Sequence, residues 1–231
     1  MERRKEELQT ESNLDEKAAI SLQQSVYSKV QFKEECEKVN ITLTDIQLSQ
    51  FQRYYELLVE WNSFMNLTAI TEYSEVLKKH FLDSLLIVKG VDLSEINSMI
   101  DIGTGAGFPG IPLKIAFPHL EVVLLDSLGK RVKFLNHVIE ELSLEKICAI
   151  HGRAEDFAKD MKYREAFDLS VSRAVANLSS LSEYCIPYTK VNGKFVSYKS
   201  VKAEEEIQAA EKAISILGGK VDHVCKFDLS D

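Results

Sequence analysis

The chain has 231 residues, 45% hydrophobic and 28% charged, with a formal net charge of -8. That composition is globular and the length supports a core without staples, while no apolar run approaches the ~20 residues of a membrane span and the start, MERRKEELQT, lacks the apolar centre of a secretory signal. The acidity excludes a protein that coats nucleic acid through its overall field, and four scattered cysteines without a CxxC pair exclude a zinc or disulfide framework and fit a reducing cytoplasm.

Residues 1–17 hold ten charged side chains and read as the core of a solvated extension, 1–28. Thr44 and Gln47 form a capping-box signature. Leu48, Phe51, Tyr54, Tyr55, Leu58, Trp61 and Met65 then recur at helical spacing, the single tryptophan on the apolar face. A second amphipathic stretch from Ser74 aligns Leu77, Phe81, Leu85 and Val88 and stops at Gly90. Residues 29–90 are therefore expected to form a helical subdomain.

From residue 91 the pattern alternates. Strands are predicted at 98–102, 121–126, 146–150, 167–172, 194–198 and 220–227. Helices are predicted at 111–117, 130–142, 154–160, 178–186 and 202–217. Such alternation means an α/β, Rossmann-like doubly wound sheet of parallel strands covered by helices on both faces. Cys148 and Cys185 fall on apolar faces and read as buried structural thiols.

The segment Asp101-Ile102-Gly103-Thr104-Gly105-Ala106-Gly107-Phe108-Pro109-Gly110 joins the first strand to a helix. Glycines there permit a tight turn and close approach of a ligand. Asp126, nineteen residues beyond Gly107, ends the second strand, where a carboxylate accepts hydrogen bonds from ribose hydroxyls. Together they predict a nucleoside-cofactor site using Gly103, Gly105, Gly107 and Asp126. The embedded GxGxxG also matches the dinucleotide fingerprint. The acidic start suits the cationic sulfonium and ammonium of S-adenosylmethionine better than a dianionic pyrophosphate. An NAD-dependent oxidoreductase is the nearest rival, and a non-enzymatic RNA-binding assembly factor the second.

After the fourth strand the sequence is Val171-Ser172-Arg173-Ala174, not the N/D-P-P-aromatic turn of amine methyltransferases, and no cysteine follows a proline as in pyrimidine-C5 enzymes. That leaves an acceptor needing no activation, such as guanine N7.

Several runs resemble one family, RsmG, also called glucose-inhibited division protein B. They are Ile100 to Leu113, Leu125 to Leu135 with its Asp-Ser-Leu-Gly-Lys-Arg core, Trp61-Asn62 with Asn66-Leu67-Thr68, His80 to Ser84, Arg153-Ala154-Glu155 and Ser172-Arg173-Ala174. The resemblance spans about residues 35–229. It implies a class I methyltransferase that uses S-adenosylmethionine to methylate guanine N7 in small-subunit ribosomal RNA. The family's cofactor contacts would fall on Gly103, Phe108, Ala154, Glu155 and Arg173. Residues 1–28 have no recognised counterpart, and the final strand of the class is expected to be missing, which would leave an unpaired sheet edge.

Local basic residues stand against the acidic background. Lys130, Arg131 and Lys133, at the cofactor edge of the sheet, are expected to hold RNA phosphates, with Lys199 and His80 added to that rim. Lys78-Lys79, Lys202 and Arg153 are weaker candidates. Asp83 is expected to fix the His80 ring. Arg173 is the expected catalytic residue, joining cofactor and target base. His119, His137, His151 and His223 lack metal-ligand spacing, so no metal is expected. The partners implied are small-subunit ribosomal RNA or the subunit itself, met in the cytoplasm by a monomer.

Overall fold

A computed structural model describes residues 29–173, 176–199 and 203–227. The charged extension, Ala174 and Lys202 lie outside the described residues.

The helical segment comes first. Helix α1 covers residues 29–38, and α2 is Asp45–Met65. The capping box forms as expected: the Gln47 amide N–H donates to Thr44 Oγ1, and the Gln47 side chain accepts from the Thr44 N–H at 2.8 Å. Gln47 Nε2 also donates to the carbonyl of Ile115 at 2.8 Å, so one side chain caps one helix start and one helix end. Asn66 closes α2 at φ 51. The stretch expected from Ser74 is one helical run with a change of pitch. Helix α3, Tyr73–Val76, passes into a π-helical turn, Leu77–Leu82, then α4, Asp83–Leu85, and a 3-10 turn ending at Gly90.

Five strands follow: β1 Ser98–Ile102, β2 Glu121–Asp126, β3 Ile147–His151, β4 Phe167–Arg173 and β5 Thr189–Tyr198. They pair in parallel in the order β3-β2-β1-β4-β5. Between them lie α5 Gly110–Ala116, α6 Gly129–Glu141, α7 Ala154–Phe157 and α8 Leu178–Cys185, with α9 Ala203–Ile216 after β5.

Strand periodicity divides the core. Met99, Leu124, Leu169 and Val171 pack with Tyr54, Phe81, Leu113 and Phe134 on one face. Ile100, Ile102 and Leu125 pack with Cys185 and Tyr188 on the other, joined by Phe167, which lies before a register irregularity in β4. The first cluster runs unbroken from Phe32 in α1 to Val171 in β4, so the helical segment buries its apolar face against the sheet's own.

Two expectations are corrected. Residues 220–227 form no strand; they run irregularly past Gly90, with Val221, Val224 and Phe227 each more than a third exposed. No alternating face is buried there, so nothing drives strand formation. Cys148 is exposed, because β3 is an edge strand, whereas Cys185 is buried as expected.

Candidate active site

The strand-to-helix loop after β1 turns through three glycines of positive φ: Gly103 at 69, Gly105 at 63 and Gly107 at 100. A Cβ at Gly105 would meet only the Gly103 carbonyl, at 4.0 Å, so this face opens onto free space. At Gly107 a Cβ would come within 2.5 Å of Ile111 Cδ1 and 2.7 Å of Tyr54 Oη, and its N–H is spent on the Thr104 carbonyl. A glycine is therefore required at 107 by packing as well as by φ.

Asp101, fully buried, ties the loop from beneath. Its Oδ2 accepts from Thr104 Oγ1 at 2.6 Å and from the Gly110 N–H at 2.8 Å, while Oδ1 is buried with no partner. Burial pushes its pKa up to about 6, against the opposing hydrogen bonds and the Arg173 charge.

Asp126 ends β2 and is 2% exposed. It accepts from the Gly105 N–H at 2.9 Å, the Leu128 N–H at 2.8 Å and Arg131 Nη1 at 3.4 Å. Those three bonds leave about one of its four acceptor positions for a ribose hydroxyl. Arg131, expected to face RNA phosphates, is thus the counter-ion of Asp126.

Arg173 closes the site from the end of β4. Its Nη1 donates to Asp83 Oδ2 at 2.9 Å, and its Nη2 to His80 Nδ1 at 3.3 Å. Its guanidinium lies 4.8 Å from the Phe108 ring centre. Arginine can only donate, so His80 Nδ1 is the acceptor, and Nε2 carries the proton toward Thr68 Oγ1 at 2.8 Å. His80 also stacks on Phe108 at 4.6 Å. Burial, then the Arg173 charge, lowers the His80 pKa to about 4. A neutral imidazole held by Arg173, Thr68 and Phe108 is no phosphate-binding cation, so His80 leaves the RNA rim. Asp83, expected to fix that ring, pairs with Arg173 instead.

Lys199 also leaves the rim. Its Nζ lies 2.7 Å from Glu206 and donates to the Ala176 carbonyl, with the side chain 12% exposed. Lys130 and Lys133 are exposed and have no ion-pair partner among the described residues. Ala154 and Glu155 open α7, just past β3, and the Ala154 carbonyl accepts from Tyr188 at 2.6 Å.

Tyr54 was legible only as core. Its hydroxyl donates to the Ala106 carbonyl at 2.5 Å inside the loop, and its ring packs on Phe81 and Phe108. A buried phenol needs a hydrogen-bond partner, and the hydroxyl on an otherwise apolar helical face is the one signal that could have found it. No group of three or more metal-ligating side chains occurs among the described residues, and no described helix is long and apolar enough to cross a membrane.

The open face at Gly105, beside an acidic floor and an inward-turned strand-end carboxylate, fits a cationic nucleoside cofactor. A family model described as "rRNA small subunit methyltransferase G" matches residues 47–230. Among curated relatives, the ribosomal RNA small subunit methyltransferase G of Lachnoclostridium phytofermentans is 55% identical over 193 residues, 84% of this chain and 80% of its own. Among solved structures, a ribosomal protein L11 methylase from Lactobacillus delbrueckii is 15% identical with TM-score 0.51, covering 65% of this chain and 74% of that one. An O-methyltransferase from Bacillus cereus in complex with SAH is 17% identical with TM-score 0.50, covering 71% and 79%. Both show the same fold.

Proposed function

This chain belongs to the rRNA small subunit methyltransferase G family, and we propose that it methylates N7 of a guanine in small-subunit ribosomal RNA, with S-adenosylmethionine as cofactor. The observation that carries the reading is the open, positive-φ cradle at Gly105 held by Asp126 and flanked by the Arg173–His80–Phe108 cluster. The oxidoreductase and assembly-factor rivals fall away with the family assignment.

When bound, S-adenosylmethionine supplies an electrophilic methyl group. Gly103 and Gly105 offer backbone without side chains, Asp126 offers its remaining acceptor position to the ribose, and Ala154 and Glu155 border the same end of the sheet. Asp101 keeps the floor negative, which opposes a pyrophosphate and favours a sulfonium. Guanine N7 presents a lone pair and no proton, so the protein needs alignment and exclusion of water rather than a base. Neutral His80 suits that requirement. Arg173, its donors directed by Asp83 and His80, is proposed to meet the cofactor, guanine O6 or a nearby phosphate. An arginine that donated to N7 would block the attacking lone pair.

Lys130 and Lys133 are proposed as the phosphate contacts. The cytoplasm, where ribosomal subunits are assembled, is the proposed compartment, and four free cysteines suit it. Transfer of a tritiated methyl group to small subunits, followed by mass-spectrometric mapping of the base, tests the reading. Label on N7 of one guanine is expected; label on another atom, or none, overturns it.

A further inference from the structure

Phe64, near the end of α2, is 66% exposed. A large aromatic ring left in water against a second aromatic ring is an apolar patch that a binding partner would cover. Its ring centre lies 5.5 Å from that of Trp61, which in turn packs on Phe134 at 5.6 Å and His137 at 5.2 Å, both from α6. Trp61 is half-buried, so the two rings form a supported aromatic step.

The step stands at the cofactor end of the molecule. Helices α2 and α6 run antiparallel, as two contacts show. Arg53, early in α2, pairs with Glu141 at the end of α6, and Trp61, late in α2, meets Phe134 and His137 in its middle. One further turn along α2 brings Phe64 level with the first turns of α6, which carry Lys130 and Lys133. That end of α6 begins three residues after Asp126. From α2 itself, Asn62 Oδ1 accepts from the N–H groups of Leu67 and Thr68, and Thr68 holds His80. On the same helices, Glu60 precedes Phe64 by one turn and Glu140 follows His137 by one turn, both exposed.

We propose that Phe64, backed by Trp61, is a stacking platform for an unpaired base of the RNA strand beside the target, with Lys130 and Lys133 on its phosphates. This rests on the RNA-methyltransferase reading. Charge complementarity selects the partner: two exposed lysines without an ion-pair partner among the described residues, on the helix end level with an exposed ring, are what a single strand meets, since every base has a π-face and every linkage a negative charge. An acidic protein segment would satisfy the lysines without needing a flat ring.

The test uses the whole protein and a short single-stranded oligoribonucleotide from the methylated region, with the matching duplex as control. Trp61 is the only tryptophan, so its emission reports on the step directly. The single strand should quench it and bind more tightly than the duplex. Phe64→Ala should weaken single-strand binding about tenfold, Phe64→Tyr should restore it, and Phe64→Leu should not. The salt dependence should stay unchanged in Phe64→Ala and flatten in the Lys130→Ala, Lys133→Ala pair. S-adenosylhomocysteine affinity and melting temperature should be unchanged throughout, as the substituted side chains are exposed. Wild-type affinity in Phe64→Ala, or full rescue by leucine, overturns the platform while leaving the methyltransferase reading intact. Wild-type protein that neither binds nor methylates small-subunit RNA defeats the reading and the platform with it.

Discussion

Arg173 Nη1 lies 2.9 Å from Asp83 Oδ2, joining the end of β4 to a helix ninety residues earlier. The pair is 14% and 21% exposed at its side chains, so neither charge can be removed without leaving the other poorly hydrated. Burial already lifts the Asp83 pKa against the pull of Arg173. The ion pair therefore fixes where β4 presents its guanidinium.

Asp83→Ala and Arg173→Ala should each destabilise the fold, and the double variant should lose less than their sum, by about 1–3 kcal/mol. Urea unfolding of the four proteins measures this; strict additivity would show that the pair is not coupled. Arg173→Lys keeps the charge and loses the planar fork. Methyl transfer by it on small subunits at saturating cofactor should remain impaired, and wild-type turnover there would remove geometry from the role of Arg173.

The two inner glycines should separate by phenotype. Gly105→Ala faces open space and carries only the strain of its positive φ, about 1–2 kcal/mol. It should fold and lose affinity for S-adenosylhomocysteine. Gly107→Ala meets Ile111 and Tyr54 and should cost about 1–3 kcal/mol of overpacking besides its strain. Thermal melts with calorimetric titrations check both, and the opposite ranking would reverse the assignment.

Asp126→Ala should weaken S-adenosylhomocysteine binding by about 1.5–3 kcal/mol, the range for hydrogen bonds to a charged group. Arg131→Ala should also change cofactor affinity, because it strips Asp126 of its counter-ion, whereas Lys133→Ala should not. Equal effects of Arg131 and Lys133 in calorimetry would return Arg131 to the RNA rim.

Stability against pH should carry two opposing contributions. The Asp101 pKa is raised to about 6 in the fold, so its contribution is full below the unfolded value near 4 and is lost as pH rises to 6, on the order of 3 kcal/mol. The His80 pKa is lowered to about 4, so its contribution is present above the unfolded value near 6.5 and is lost as pH falls toward 4. Asp101→Asn should therefore make melting temperature rise more steeply with pH across that window, and His80→Asn should make it fall. Parallel curves for both variants and wild type would be incompatible with these pKa shifts.

Much of the fold was legible in the sequence because it is written in local periods. Alternating apolar runs, the Thr44–Gln47 box and Gly90 are decided within a few residues, and five of six expected strands formed. The sixth, 220–227, failed because strand periodicity has meaning only where a neighbour buries one face. The glycine loop and Asp126 were readable for the same local reason: positive φ and strand-end position depend on the chain nearby. Which cations stay free was not. Lys130 and Lys133 resemble Arg131 and Lys199 in sequence, yet Asp126 and Glu206 claim the latter two. His80 likewise becomes a neutral acceptor for Arg173 across ninety-three residues. Charge state and hydrogen-bond direction depend on burial and on partners distant in the chain, and only the packed tertiary structure brings those partners together.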